Sequence, residues 1–253
     1  MNETSASPCL GHVAIFTPDP YRLAAFYEET FNMQIVRRRH AVWLWDGRIH
    51  LALNPWRAGG DEVERRDEVG EIYARKLDHF GFQVGSVDSF KDPIKRAGAT
   101  MEPQLRPSGR SFAEWRFHDP EENRVDLSEM GFKQEIASDA APASVIGRIV
   151  LFTTDPSRLA DFYASVFALR TVYKSANSTA LTDGNAQLVL VNPEPNSVCG
   201  LYCFGFRVAD ERKTTGRLER LGISVSSRPD WIDGNKNQFH ARDLDGNPVT
   251  FLS

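Results

Sequence analysis

Four side chains in the first half of the sequence have the chemistry of a metal site: His12, His50, His79 and Asp126. Each lies in a short segment whose apolar residues flank it, so the apolar neighbours face one side of a strand and the His or Asp faces the other. Three imidazoles and a carboxylate suit Fe(II), Mn(II), Ni(II), Co(II) or Zn(II). A single histidine on an inner strand face is more often a packing residue, so the prediction depends on all four sharing one face.

The chain contains an internal repeat, and only the first copy carries these four residues. The segment G-H-V-A-I-F-T-P-D-P from Gly11 matches G-R-I-V-L-F-T-T-D-P from Gly147, and D-H-F-G-F-Q-V from Asp78 matches Y-C-F-G-F-R-V from Tyr202. A repeat of this length indicates a duplicated structural unit. The second copy holds different residues at the four corresponding positions: Arg148, Gln187, Cys203 and Thr250. We therefore expect a second half that binds no metal.

Each half divides again into two pieces with the order strand, helix and three strands. Asp19-Pro20 and Asp155-Pro156 predict helix starts, because Asp caps the free N–H groups and Pro fits the first helical position. A further helix is predicted from Asp88, although Pro93 is unfavourable inside it. The predicted domains are residues 1–132, with the metal site, and residues 146–253, joined by a linker rich in Ala, Ser and Pro.

The composition indicates a globular protein without a nucleic-acid or membrane partner. Of the 253 residues, 41% are hydrophobic and 25% are charged, and the net charge of −4 is spread over both signs. No apolar run is long enough to cross a bilayer, and three cysteines are too few and odd in number for a disulfide framework. We expect a cytoplasmic protein whose partner is a small-molecule substrate; a homodimer is also compatible with the sequence.

The repeated motifs resemble those of the vicinal oxygen chelate superfamily, which includes glyoxalase I, extradiol dioxygenases, fosfomycin-resistance proteins and bleomycin-binding proteins. The motifs are G-H-V-A-I at Gly11, D-P-Y-R-L-A-A-F-Y at Asp19, D-H-F-G-F-Q-V at Asp78 and D-P-E-E-N-R-V-D-L at Asp119. The resemblance covers nearly the whole chain and implies an α+β fold. Tandem glyoxalase-like domains are expected, each of two βαβββ units that form a curved, mostly antiparallel sheet around a metal site.

The resemblance implies a function through the ligand set. In that superfamily the ligands come from the first and last strands of each unit, where His12, His50, His79 and Asp126 fall. The dioxygenases use two His and one carboxylate, which His12, His79 and Asp126 match. The isomerases use four ligands with glutamates at the last-strand positions, where this chain has His50 and Asp126. The longer extradiol signature is not met, which argues against a simple catechol as substrate.

The sequence therefore predicts a metal-dependent enzyme. The leading hypothesis is an Fe(II)-dependent dioxygenase that acts on a small oxygenated molecule, aromatic substrates included. The first alternative is a glyoxalase-type lyase, isomerase or epimerase that uses a divalent metal. The second is a non-catalytic small-molecule-binding protein of the resistance type, which would hold no metal. Among the catalytic candidates, Arg124 is expected either to bind an anionic substrate group or to form an ion pair. His118 is an acid–base candidate or an exposed residue before a turn.

Two structural expectations accompany this hypothesis. Residues 56–76, a charged insertion that the second half lacks, are expected to form a surface loop or a lid over the first site. The second domain is expected to brace the first, with the two packing through their outer strands as the resemblance implies. Three tryptophans are expected either to line the substrate pocket or to belong to the core: Trp43, Trp45 and Trp115.

Overall fold

A computed structural model of the chain describes residues 7–38, 41–55, 77–103, 113–129, 143–195, 197–231 and 236–253. The predicted loop at 56–76 and linker residues 133–142 lie outside the described residues. The first half comprises β1 (Cys9–Thr17), α1 (Pro20–Phe31), β2 (Gln34–Arg38), β3 (Val42–Trp45), β4 (His50–Pro55), β5 (Leu77–Gln83), α2 (Asp88–Arg96), β6 (Met101–Pro103), β7 (Trp115–His118) and β8 (Arg124–Ser128). The second half comprises β9 (Ser144–Phe152), α3 (Pro156–Phe167), β10 (Arg170–Lys174), β11 (Ser178–Thr182), β12 (Gln187–Val191), β13 (Gly200–Val208), α4 (Glu211–Arg220), β14 (Ser226–Pro229), β15 (Asn237–Arg242) and β16 (Pro248–Leu252).

Each half forms one eight-stranded sheet from its two βαβββ units. The strand order is β2-β3-β4-β1-β5-β8-β7-β6 in the first sheet and β10-β11-β12-β9-β13-β16-β15-β14 in the second. In the first sheet β1 is parallel to β4 and β5 is parallel to β8, while the other neighbours are antiparallel. The predicted α+β fold of tandem glyoxalase-like domains with mostly antiparallel sheets is therefore confirmed.

The helices begin where the sequence predicts. The carboxylate of Asp19 accepts hydrogen bonds from the backbone N–H groups of Tyr21 and Arg22, and Asp155 accepts one from Arg158. Helix α2 begins at Asp88 and continues through Pro93, but it has no side-chain cap of its own. Among the described residues, no helix combines the length and the hydropathy that crossing a bilayer would require.

Each sheet has two chemically different faces. On β1, Val13 and Ile15 are fully buried in the core beneath the helices, whereas Ala14 packs on the opposite face with Trp43 and Ala52. The core beneath the helices extends through both halves of the chain, and the opposite faces carry separate small clusters. The two concave faces are therefore turned away from each other, on opposite sides of the molecule.

Among the described residues, the two domains contact each other through their helices and through the central strands β5 and β13, not through the outer strands as expected. Phe31 of α1 stacks on Phe206 of the second sheet with ring centroids 3.9 Å apart. Phe167 of α3 stacks in the same way on Phe82 of the first sheet, at 4.2 Å. Each domain thus places its first helix against the other domain's sheet, because this buries an apolar helix face that one sheet alone does not cover.

Polar contacts across the interface come in matched pairs, as the duplication requires. The tyrosine of each first helix donates a buried hydrogen bond to an aspartate of the other domain, and the start of each first strand donates a backbone bond to a turn aspartate. The four bonds are Tyr27 Oη to Asp243 Oδ2 at 2.8 Å, Tyr163 Oη to Asp119 Oδ2 at 2.6 Å, Leu10 N to Asp183 Oδ2 at 2.7 Å and Ile146 N to Asp46 Oδ2 at 2.5 Å. Both domains are therefore expected to unfold together.

We predict that Tyr27→Phe and Tyr163→Phe each lower the free energy of unfolding by about 1–3 kcal/mol, because each leaves a buried aspartate without one of its donors. Urea denaturation followed by circular dichroism measures this change and shows whether the transition is single. Tyr21→Phe is the control, since Tyr21 is 47% exposed and its change should stay within about 0.5 kcal/mol. Two separate transitions, or equal effects at all three positions, would contradict the shared interface.

Candidate metal centre

Three of the four predicted ligands meet on the concave face of the first sheet. His12 lies on β1, His79 on β5 and Asp126 on β8, and one ligand atom from each lies within 4.8 Å of the other two. His79 Nε2 is 3.2 Å and His12 Nε2 is 3.8 Å from Asp126 Oδ2. Atoms that bind one ion at about 2.1 Å lie about 3–4 Å apart, so these distances fit a shared ion. Within the described ranges, no other three His, Cys, Asp or Glu side chains lie close enough to hold a metal.

A glycine makes this convergence possible. Gly81 is the register partner of His12 on one side and of Asp126 on the other. A Cβ atom at residue 81 would lie 2.6 Å from His12 Nδ1 and 2.7 Å from the backbone oxygen of Asp126, closer than real Cβ contacts allow. The His12 ring therefore occupies the space that any other residue at this position would fill.

A β-bulge orients His79. In the β1–β5 register Ala14 pairs with His79 and Ile15 pairs with Leu77, so Asp78 is the extra residue on β5. Asp78 Oδ2 lies 2.5 Å from His79 Nδ1. When the Nδ1–H of a histidine donates to a carboxylate, its Nε2 points away from that carboxylate. Here Nε2 of His79 points towards Asp126. Histidines that bind metals are commonly held in this way by an outer-shell acid.

Two arginines complete the polar cluster. Arg116 of β7 faces Asp126 in the register and donates to both of its oxygens, Nε to Oδ1 at 2.5 Å and Nη2 to Oδ2 at 3.0 Å. Arg124 Nη1 donates to Oδ1 of Asp78. Bidentate pairing fixes the plane of the Asp126 carboxylate, whereas Arg124 holds one oxygen of Asp78, the acid that orients His79.

The protonation states of His12 and Asp126 suit metal binding, whereas His79 must lose a proton. Burial lowers the pKa of His12 well below its usual value, and the neighbouring His79 lowers it further, so His12 is neutral at pH 7. Burial opposes ionisation of Asp126, but His79 and Arg116 outweigh that effect and hold its pKa well below the usual range. Burial lowers the pKa of His79, but the carboxylates of Asp126 and Asp78 outweigh that effect and raise it. Neutral imidazole and ionised carboxylate are the forms that ligate metals, so a metal that binds here must displace a proton from His79.

His50 lies beside the three-residue group without joining it. It pairs with His12 in the parallel β1–β4 register and is buried on the same face. Its ring packs on Trp45 with centroids 4.2 Å apart, and burial lowers its pKa to about 3. Its role as a fourth ligand stays a prediction.

The two catalytic candidates lie at the edge of the cluster. Arg124 is engaged with Asp78, so of its two predicted roles the structure has the ion pair. His118 is half-buried and pairs with Arg124 in the β7–β8 register. It lies two residues beyond Arg116 on β7, which is about 7 Å along the strand. Of the tryptophans, Trp43 lies on the concave face, whereas Trp115 packs towards the helices beneath Lys91.

Three functional residues were missed from the sequence. Arg116 alternates with Trp115 and Phe117 on β7, so strand alternation was a sufficient signal for its inward face. Asp78 was not detectable in this way, because its direction results from the bulge. Gly81 was visible only as part of a motif, since its importance lies in a contact between two strands.

The second sheet has no comparable centre among its described residues. Arg148 replaces His12 and forms a buried ion pair with Asp230, Nη1 to Oδ1 at 2.8 Å. Cys203 replaces His79 in an apolar cluster, and Thr250 replaces Asp126. The glycine is retained as Gly205, packed against Arg148 and Thr250.

Family-level similarity agrees with the repeat and the fold. A model described as the Glyoxalase/Bleomycin resistance protein/Dioxygenase superfamily matches residues 10–127 and again residues 145–251. The chain belongs to this superfamily. No curated protein shows significant sequence similarity to it.

Solved structures of the superfamily share the two-domain architecture. The Mn(II)-bound glyoxalase from Novosphingobium aromaticivorans is 14% identical with a TM-score of 0.70, over 98% of this chain and 82% of the other. BphC, a halotolerant catechol dioxygenase, is 14% identical with a TM-score of 0.66, over 96% and 85%. The 2,3-dioxygenase LapB from Pseudomonas sp. KL28 is 12% identical with a TM-score of 0.65, over 96% and 91%. At these identities the likeness shows a common fold, which alone does not define a reaction.

We predict that Gly81→Ala removes bound metal, because the new methyl group displaces the His12 ring. Gly205→Ala is the matched control, since its methyl group would collide with Thr250 and Arg148 in the second sheet. Both variants should lose stability, but only Gly81→Ala should lose metal in elemental analysis. Equal metal content in the two variants would show that His12 is not held as described.

Proposed function

We propose that this superfamily member is a metal-dependent enzyme whose single metal site is formed by His12, His79 and Asp126. The observation that carries the proposal is the meeting of these three side chains on one concave face, with ligand atoms within 4.8 Å of one another. The donor set fits a divalent cation, because two imidazoles and one carboxylate on one face are the ligands of non-heme Fe(II) sites and also suit Mn(II), Co(II), Ni(II) and Zn(II). The second domain is proposed to hold no metal.

The proposed reaction is an Fe(II)-dependent dioxygenation of a small oxygenated molecule, aromatic substrates included. A metal bound at this face supplies Lewis acidity and open positions for substrate oxygens and O₂. The same concave face carries an apolar cluster of Ala14, Trp43 and Ala52. The half-buried Val36 and Ala41 pack against this cluster and would contact the carbon skeleton of a substrate whose oxygens face the three ligands. The structural likeness to a catechol dioxygenase and to a 2,3-dioxygenase supports this choice.

The remaining polar residues are assigned supporting roles. Arg116 holds Asp126 in one orientation, and Asp78, held in turn by Arg124, orients His79. His50 is neutral at pH 7, because its pKa is about 3, and we assign it to the wall of the site next to His12. His118 is kept as the candidate that transfers a proton at the edge of the site, since it is half-buried on the same strand as Arg116.

The second candidate function is a redox-neutral lyase or isomerase of the glyoxalase type. It is favoured by the likeness to a Mn(II)-bound glyoxalase over nearly the whole chain. In that case the metal would polarise a substrate carbonyl, and His118 or His50 would move the proton. Turnover that persists without oxygen and with a redox-inert ion such as Zn(II) would identify this function.

We predict oxygen consumption when the Fe(II)-loaded protein meets its substrate. The measurement is electrode-monitored O₂ uptake across a panel of phenols, hydroxylated aromatic acids and enediols, with binding of each compound measured separately by calorimetry. The Zn(II)-loaded protein and His79→Ala are the controls, and neither should consume oxygen. A compound that binds at the site and is turned over without any O₂ uptake would refute the dioxygenase assignment.

We predict unequal effects of alanine substitution at the four candidate ligands. His12→Ala, His79→Ala and Asp126→Ala should each lower metal affinity by more than the roughly 10–100-fold loss typical of an outer-shell partner. His50→Ala should lower it less. Isothermal titration with Fe(II) or Mn(II) under anaerobic conditions measures all four, with Thr250→Ala as the control from the second domain. Equal losses at all four positions would favour a four-ligand site.

A further inference from the structure

The concave face of the second sheet has replaced metal ligands with groups of a different chemistry. Its central cluster is apolar and buried, with partly exposed aromatic rings packed around it. The residues in that outer ring are Phe152, Tyr173, Tyr202 and Trp231. Arg148 lies on the same face at the position of the first metal ligand. Because the two concave faces point away from each other, this surface is separate from the candidate metal centre.

Three polar atoms on this face are buried without a hydrogen-bond partner among the described residues: Gln238 Nε2, His240 Nε2 and Thr250 Oγ1. Gln238 and Thr250 are fully buried, and His240 pairs with Thr250 in the β15–β16 register. Their neighbours Phe239 and Phe251 stack on each other on the opposite, helix-covered side of the sheet. Buried polar groups in folded proteins are almost always paired, so three on one face indicate a missing partner.

The Arg148–Asp230 ion pair determines what kind of partner this is. Arg148 Nη1 donates to Asp230 Oδ1 at 2.8 Å and to Gln238 Oε1 at 3.4 Å. Since the carbonyl oxygen of Gln238 is turned to the guanidinium, its amide nitrogen is left as a donor. The hydroxyl of Thr250 is a second donor beside Arg148. The floor of the site therefore presents two neutral donors beside an ion pair, which match an acceptor group such as a carboxylate oxygen.

The walls of the site match a flat apolar ring. Tyr202 is the extra residue of a β-bulge, since Val150 pairs with Cys203 and Leu151 pairs with Leu201, and the bulge turns it to the concave face. Its ring stacks on Phe152 with centroids 3.9 Å apart, and Trp231 stands edge-on to it at 6.1 Å. Trp231 also meets the His240 ring, at 5.4 Å, which joins the aromatic wall to the polar floor.

The rim adds positive charge. Arg242 lies two residues beyond His240 on β15, so it shares the face of His240. Arg228 is exposed and pairs with Gln238 in the β14–β15 register. Asp230 already neutralises Arg148, so the two rim arginines are available to attract an anion.

We propose that the concave face of the second domain is a metal-free binding site for a small aromatic carboxylate. Both donors, Gln238 Nε2 and Thr250 Oγ1, are fully buried, so the half-buried side chains of Tyr202 and Trp231 must turn aside to admit the ligand. The carboxylate then accepts hydrogen bonds from these two donors beside Arg148, and the ring lies against Tyr202 and Trp231. The site is the counterpart of the metal centre in the repeat, with a guanidinium and neutral donors in place of an ion. It does not depend on the function proposed for the first domain.

The test uses the full chain as purified and benzoate as the probe, with binding measured by calorimetry and by tryptophan fluorescence. Two further probes separate the two parts of the proposal: cyclohexanecarboxylate keeps the charge without the aromatic ring, and benzamide keeps the ring without the charge. Benzoate should bind at one site per chain and more tightly than either. The fluorescence change should disappear in Trp231→Phe.

Substitutions of the two buried donors, Gln238 and Thr250, distinguish benzoate binding at this site from binding in the first domain. Gln238→Leu and Thr250→Val should each weaken benzoate binding about tenfold, which corresponds to the loss of about one hydrogen bond to a charged group. Thr250→Ser keeps the hydroxyl and should keep the affinity, which separates the loss of a donor from a packing defect. Metal content should be unchanged in all three, so failure here is distinguishable from failure of the metal site.

The ligand-free stability gives an independent readout. Thr250→Val should raise the melting temperature, because it removes a buried polar atom that has no protein partner. Absence of benzoate binding at millimolar concentration would overturn the proposal. So would binding that Gln238→Leu and Thr250→Val leave unchanged, since benzoate would then be bound elsewhere. A lower melting temperature in Thr250→Val together with no benzoate binding would indicate that ordered water is the partner of these atoms. That result would also overturn the proposal.

Discussion

The close approach of the His12 ring to the bare backbone of Gly81 is the contact on which the first site depends. Three central strands meet there, because Gly81 on β5 is the neighbour of His12 on β1 and of Asp126 on β8. Without a side chain at residue 81, the imidazole lies across β5 and reaches the carboxylate on the far strand. The bulge at Asp78 then brings His79 to the same point, and the Arg116 and Arg124 ion pairs restrict the two acids. Each outer contact therefore acts on the position of one of the three ligands.

The duplication explains why the two halves share a core but differ in chemistry on their concave faces. The helix-covered faces form one core in which each first helix packs on the other domain's sheet, so a change there affects both halves. The concave faces share no such contact and were free to diverge. In the second half the glycine remains as Gly205, but Arg148 and Thr250 lie where the first half has His12 and Asp126. Arg148 is paired there with Asp230, so a buried ion pair lies where the first half has its candidate metal ligand.

Much of this architecture follows from local sequence patterns. Alternation placed His12, His79 and Asp126 on one face, and the Asp-Pro pairs at Asp19 and Asp155 located two helices, because both signals depend only on neighbouring residues. The packing of the domains through helices was not predictable in the same way, since an apolar helix face does not specify which sheet covers it. The separation of His50 from the other three depends on its contact with Trp45, which arises from the β3–β4 pairing.

The interior polar cluster was the least predictable part, for a physical reason. The Arg116–Asp126 pair depends on the register of β7 and β8, and the Arg124–Asp78 pair joins strands that are far apart in the chain and depends on one extra residue in β5. Charged residues on an inner strand face can indicate a ligand site or an ion pair, and Asp126 belongs both to an ion pair and to the candidate ligand set. The sequence shows that such residues share a face, whereas the register shows which of them meet.

The most direct test of the metal centre is the metal content of protein purified without added metal, measured by elemental analysis against protein concentration. The account predicts one equivalent of a redox-active divalent metal, foremost iron, per chain. Two equivalents would contradict the asymmetry between the domains. Absence of metal, together with no binding of Fe(II), Mn(II) or Zn(II) in titration, would contradict the centre itself and favour a small-molecule-binding protein without catalysis.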